Sequence, residues 1–211
     1  MWLMPSSNAR AVQSAATLLR ELGHDVRDAH PDALDDPEAS QHFSVYYAVY
    51  TARVLDALGT FLGRPIGEDD VDPLNWGLAG LGHMCTAPQF LASVDWVHAF
   101  TRRVAAWWSE GYDVLLTPTL PAPPPLLGHF KPSKEDMLDV GMRAATFAGF
   151  TSPFNLTGQP GISLPLHWTT DGLPVGVQIV GAYGREDLLL QIAAELEAAR
   201  PWADRRPPVS A

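Results

Sequence analysis

Phe154-Asn-Leu-Thr-Gly-Gln-Pro-Gly-Ile-Ser-Leu-Pro-Leu166, followed by Gly172-Leu-Pro-Val-Gly-Val-Gln-Ile-Val-Gly181, decides how this 211-residue chain is read. Two apolar runs of strand length, 161–167 and 174–180, flank Thr169-Thr-Asp-Gly172, a cluster of turn formers between strands. Asn155, Gly158 and Pro160 supply a turn that delivers the chain into the first strand, and Gly176, small and mid-strand, permits close packing. From Arg185 to Ala199 the residues Leu188, Leu189, Ile192, Leu196 and Ala199 share one helical face. A hairpin followed by an amphipathic helix belongs to an α/β architecture.

Upstream, the spacing predicts further elements of both kinds. Tyr112–Thr117 is a nearly continuous apolar run, the pattern of a buried strand. Pro118–Pro132 is too rich in proline to sustain a backbone ladder and reads as an extended loop, on the surface or beside an active site. Val12, Ala15, Ala16, Leu19 and Leu22 mark a helix over 8–22 that stops at Gly23, and 24–29 alternates weakly as a short strand or extended piece. Over 40–62, Phe43, Tyr46, Tyr47, Tyr50, Val54, Leu55 and Leu58 form a broad apolar helical face, with Arg53 and Asp56 outside it and Gly63 at its end. A short helix is expected over 73–84. Thr86 is the expected cap of a long helix reaching Glu110, with Gly111 as its stop. Ser133, with Asp136 three residues on, is the expected cap of a helix to Phe147. No internal repeat recurs at a fixed period.

Composition narrows the function classes. Hydrophobic residues make up 46% of the chain, which marks a globular protein, yet no run approaches the ~18 apolar residues of a membrane span. The net charge is −10, and Lys131 and Lys134 are the only lysines, so a phosphate-binding basic stripe is excluded and no nucleic-acid partner is expected. A single cysteine, Cys85, rules out an internal disulfide framework and fits a reducing compartment. The opening Met-Trp-Leu-Met-Pro has no basic flank and too short an apolar run for a signal peptide, so a cytoplasmic location is expected.

Several segments, in this order, resemble the C-terminal half of amidase-signature enzymes: Leu18-Leu-Arg-Glu-Leu-Gly-His-Asp-Val26, Asp113-Val-Leu-Leu-Thr-Pro-Thr119, Phe154-Asn-Leu-Thr-Gly-Gln-Pro160, Gly172-Leu-Pro-Val-Gly-Val-Gln178 and Leu196-Glu-Ala-Ala-Arg-Pro-Trp202. The ordered set spans nearly the whole chain. The resemblance implies an α/β fold, the C-terminal portion of the amidase-signature fold with a mixed β-sheet flanked by helices, and a partial domain over 1–211. It also implies hydrolysis of carboxylic amides through an acyl-enzyme, using a serine nucleophile, a bridging serine in a cis peptide and a lysine base, with no metal or cofactor. In that family the lysine and both serines lie upstream of the region matched here.

No substitute for that machinery stands out in these residues. Ser6-Ser7 precedes Asn8 and reads as a helix cap. Ser133 is flanked by Lys131 and Lys134, but no Ser-x-x-Lys spacing exists, and a solvated lysine keeps a pKa too high for a base at neutral pH. Gly161-Ile-Ser163-Leu-Pro165 approaches a nucleophile elbow, but Pro165 replaces the last glycine and Ser163 falls within a strand. Cys85 has His83 and His98 near in sequence, yet a lone cysteine between helices reads as core, and with Asp95 the set lacks the paired spacing of a zinc site. No residue is therefore assigned as catalytic or as a metal ligand. The resemblance implies that the aromatic helical middle and the loop after Thr117 shape an acyl pocket, which makes Trp76, Cys85, Thr117 and Thr119 the candidate substrate-binding residues.

Two readings follow. In one, the chain belongs to an amidase whose small-molecule amide substrate is engaged once an N-terminal half completes the fold, and the chain alone is inactive. In the other it is a non-catalytic subunit or pseudo-enzyme, its open strand edges and apolar faces covered by a partner chain or by self-association. The aromatic middle favours a general amidase over a transamidosome subunit by analogy only.

Overall fold

In a computed structural model that describes residues 6–133 and 136–206, the chain divides into two compact units. The first comprises Met1–His30, Ala105–Pro124 and Gly158–Ala211, and the second Pro31–Val104 and Pro125–Thr157. No helix among the described residues is long and apolar enough to cross a membrane.

The first unit is built on one strand. Helix α1 (Ser6–Glu21) precedes β1 (Val114–Pro118), β2 (Gly161–Trp168), β3 (Pro174–Gly181) and helix α7 (Glu186–Ala199), with the sheet in the order β1-β3-β2. Both pairings are antiparallel, so of the mixed sheet implied by the resemblance the described residues hold an antiparallel part. The β2–β3 turn closes as its sequence predicts: Gly172 N–H donates to the Thr169 carbonyl over 3.0 Å, and Gly172 takes φ +81°, which favours glycine. Residues alternate sides along a strand. On β3 the odd residues Val175, Val177 and Ile179 enter a core with Leu164 and Leu166 of β2, Ala11, Ala15 and Leu19 of α1, and Leu189, Ile192 and Leu196 of α7. The even residues face the other way.

The second unit is helical: α2 (Ala39–Leu62), α3 (Pro73–Met84), α4 (Ala87–Ala106, its last residues in the first unit), α5 (Met137–Phe147) and α6 (Ser152–Thr157). The Thr86 cap holds as expected, whereas the residue that precedes α5 is Asp136 and not the expected Ser133. Thr86 starts α4 with a reciprocal box, its N–H donating to Gln89 Oε1 over 2.9 Å and its hydroxyl accepting from Gln89 N–H over 3.4 Å. The α4 helix ends at Ala106, earlier than the expected Glu110, and gives way to a 3-10 turn over Trp107–Glu110 before Gly111. Ser133 N–H and hydroxyl both donate to Asp136 Oδ1, over 2.7 and 2.9 Å, which holds that carboxyl below its usual range, although α5 itself begins at Met137. The turn expected before the 161 strand contains a short helix, α6, which takes in Phe154 and Asn155 before Gly158 turns the chain at φ +75°.

One expectation is met in part. Of the broad apolar face of α2, Phe43, Tyr46 and Leu55 are half-buried, whereas Tyr47, Tyr50, Val54 and Leu58 are exposed, and Ala48, Ala52 and Gly59 are the buried residues. The reason lies on α3, where Gly82 lets the two helix backbones approach so closely that an added Cβ would clash with the Ala48 carbonyl oxygen and sit 2.9 Å from the Ala52 methyl. Backbone proximity selects the small-residue stripe over the aromatic one.

Gly82→Ala is expected to destabilise the second unit by about 1–3 kcal/mol, because a carbonyl cannot rotate away as a side chain can; an unchanged urea midpoint would show that the helices do not meet this closely. A second expectation concerns His167, whose imidazole is pushed below its ordinary value by burial and by the charges of Arg10 and Arg200. The unfolded chain then takes the proton more readily than the folded one, so this contribution is complete above a pH of about 6.5 and is lost as pH falls through the lower folded value. His167→Gln should flatten the fall in folding free energy below that pH, followed by urea denaturation across the acid range.

Candidate functional site

The even face of β3 carries the polar groups of the first unit. Register places Thr117 opposite Gln178 and Ser163 opposite Gln178, so one row crosses all three strands. Gln178, buried, donates from Nε2 to Thr117 Oγ1 over 3.1 Å, and the Thr117 hydroxyl donates on to the Pro118 carbonyl over 3.0 Å. Thr119, just past β1, and Ser163 on β2 sit on either side of Gly176, and their hydroxyls meet across it at 2.6 Å. A Cβ on Gly176 would fall 2.7 Å from Ser163 Oγ and 2.8 Å from Thr119 Oγ1, so the bridge exists because β3 has no side chain there. The close packing read from Gly176 in the sequence is this contact.

Chemically the row is a set of neutral donors and acceptors. It matches the C=O and N–H of an amide, since a hydroxyl serves as either partner. It does not generate a nucleophile: the hydroxyls of Thr119 and Ser163 are shared with each other, and attack requires a base at hydrogen-bond distance. Ser163 lies within β2 and not on a strand-to-helix turn.

Trp76 and Cys85 lie in the second unit. Trp76, on α3, lines a cavity of about 670 Å³ together with Asp56, Arg64 and His83. His83 Nε2 stands 3.1 Å from Asp56 Oδ2, so its partner is a carboxylate of α2 and not Cys85. Arg64 grips Asp70 through two bonds of 2.7 and 2.8 Å and, with the Gly67 N–H, holds that carboxyl far below the usual range. Cys85 closes α3, its N–H donating to the Gly82 carbonyl over 3.2 Å and its Sγ 3.7 Å from the Thr86 carbonyl. His98 and Asp95 are exposed on α4. Lys134 and the side chains of Ser6 and Ser7 lie outside the described residues.

Thr117 and Thr119 thus belong to two neighbouring hydrogen-bonded pairs, Thr117 with Gln178 and Thr119 with Ser163, while Trp76 lies on α3 and Cys85 is its C-cap. Sequence reasoning missed Ser163 and Gln178 as the partners in these pairs, and it missed the Asp56–His83 pair. Gln178 was legible as the one polar residue in the apolar run Val175–Val180, at even spacing from Gly176. The helix pair carried no comparable signal, because positions 56 and 83 are joined only by tertiary packing.

A family model described as Amidase matches residues 1–190. The 6-aminohexanoate-cyclic-dimer hydrolase of Paenarthrobacter ureafaciens is 43% identical over 205 residues, 94% of this chain and 41% of that protein. A putative amidase, AmiC, of Mycobacterium tuberculosis is 38% identical over 193 residues, 89% of this chain and 39% of its own length. Among solved structures, 6-aminohexanoate cyclic dimer hydrolase complexed with substrate superposes with a TM-score of 0.92 at 41% identity, covering 97% of this chain and 44% of that one. A bacterial aryl acylamidase shares the fold at a TM-score of 0.71 and 20% identity. The chain therefore spans about 41% of the length of the hydrolase it matches.

Gly176→Ala is expected to push the two hydroxyls apart at a cost of about 1–3 kcal/mol, and Ser163→Ala to cost about 1 kcal/mol. The double variant should cost less than the two together, because removing Ser163 Oγ removes one of the clashing atoms. Strict additivity in urea denaturation would rule out the contact across Gly176.

Proposed function

Since this chain belongs to the amidase family, we propose that it forms the substrate-holding part of an amide hydrolase acting on cyclic amides of the 6-aminohexanoate type. The observation that carries the proposal is the hydroxyl and amide row over Gly176, which offers hydrogen bonds to an amide and no base to activate a nucleophile. The nucleophile and its base then belong to the remainder of the amidase fold, which the longer relatives have room to hold. The substrate class is taken from the 43% identity to a 6-aminohexanoate-cyclic-dimer hydrolase. Such a dimer presents two amide groups separated by methylene chains, so its binding surface needs both polar and apolar contacts.

In this reading Thr117 and Thr119 orient the amide, and no described residue forms the acyl-enzyme. No metal or cofactor takes part in the proposed reaction.

The isolated chain is expected to release no amine from the 6-aminohexanoate cyclic dimer or from a simple aryl amide. With the unmatched portion of the Paenarthrobacter hydrolase supplied as a second polypeptide, hydrolysis is expected to return, and Thr119→Val to raise KM about tenfold, the loss of one contact of about 1.4 kcal/mol. Hydrolysis by the chain alone that disappears in Cys85→Ser or Ser133→Ala would overturn the assignment and place the nucleophile here.

A further inference from the structure

His167 stands on the α1 side of the sheet because β2 is bulged. Leu164 pairs with Val177 and His167 with Val175, so three steps along β2 match two along β3. Strict alternation from Leu164 would aim His167 at the face that carries the hydroxyl row, whereas the extra residue returns it to the face of Val175, which enters the core. Pro165 sits inside the irregularity, on a strand with a single neighbour in the sheet, where its missing N–H costs the ladder little.

Two arginines converge on this histidine. Arg200, the residue that closes α7, donates from Nη1 to the Leu166 carbonyl over 2.9 Å and to Ser14 Oγ over 3.0 Å, which fixes its guanidinium between β2 and α1. Arg10 lies one helical turn before Ser14, on the same face of α1. Burial first, and then the charges of Arg10 and Arg200, push the half-buried His167 imidazole below its ordinary value, so both guanidinium groups lie within electrostatic reach of it. Both charges that act on it are positive.

Elsewhere the chain neutralises its arginines: Arg27, Arg64, Arg103, Arg143 and Arg185 each pair with an aspartate. Among the described residues Arg10 and Arg200 pair with no carboxylate, although acidic residues outnumber basic ones by 24 to 14 in the chain. Positive charge gathered without a counter-ion repels itself, and an anion offsets that repulsion. The guanidinium fork matches the oxygens of a carboxylate or a phosphate, and an imidazole adds a donor that protonation turns into a charged one.

We propose that Arg10, Arg200 and His167 form a binding site for a small oxyanion, a carboxylate or a phosphate, on the face of the sheet opposite the Thr119–Ser163 pair. The site uses none of the residues assigned to amide binding, so it stands or falls separately from the proposed function. Arg205 supplies the comparison: it is also near in sequence, but its guanidinium lies 4.0 Å over the Trp168 ring and is occupied there.

NMR titration of the histidine side chains in this chain tests the proposal, in inorganic phosphate, in acetate and in chloride at matched ionic strength. Phosphate or acetate should raise the proton affinity of His167 about tenfold over chloride, because the anion offsets two positive charges and favours a third, and should leave the other histidines unmoved. The same anion should raise the melting temperature. Arg10→Gln, at an exposed position whose loss the fold tolerates, should weaken anion binding about tenfold, and Arg205→Gln should leave it unchanged. A response to phosphate alone assigns a phosphate ligand and a response to acetate alone a carboxylate, and either supports the site. An identical His167 titration in all three salts overturns the proposal, as does an anion effect that survives Arg10→Gln or vanishes in Arg205→Gln.

Discussion

The alternation of β3 is the constraint on which the first unit depends. Its odd residues, Val175, Val177 and Ile179, are buried beneath α1 and α7, while its even residues Gly176 and Gln178 face the opposite side beside Thr117, Thr119 and Ser163. A slip of one residue in register would put Gln178 into the apolar core and a valine among the hydroxyls, losing both surfaces at once. The helices hold this register by burying one face, and the hairpin turn at Gly172 fixes it locally. Core and candidate site are therefore two faces of one strand.

That double use explains how much of the molecule was legible in the sequence. β3 and β2 were read from period-2 patterns beside a recognisable turn, α7 from its single apolar face, and Gly63 and Gly111 from their positions after helical runs. Each of these signals is local. The aromatic side of α2 is only partly buried, because periodicity shows that a helix has apolar stripes without showing which stripe meets a partner most closely. Here the choice was made by Gly82, 34 positions beyond Ala48, through a backbone approach that only small residues permit. The short α6 was hidden for a different reason: Asn155 and Gly158 are turn formers, and a six-residue helix leaves too little periodicity to oppose them.

The candidate site was legible to the same depth. Thr117 and Thr119 were singled out through the loop that follows β1, and they fall on one face because they are two residues apart. Their partners come from other strands, so Ser163 and Gln178 enter only when the register is known. Asp56 and His83 meet by the packing of α2 on α3, and the sequence holds no trace of that meeting.

A neutral polar row over a glycine also constrains the chemistry. Amide bonds are cleaved when a nucleophile is activated and the developing oxyanion is stabilised, and both demand charge or aligned backbone dipoles close to the carbonyl. Thr119 and Ser163 satisfy each other's hydrogen bonding at 2.6 Å, and Gln178 is committed to Thr117. Such groups reward a ligand for lying in one orientation, and they change little as charge develops on it. Binding that is equal for substrate and transition state raises affinity without accelerating the chemical step. An amidase divided so that one part carries this surface would owe its specificity to that part and its rate to the other.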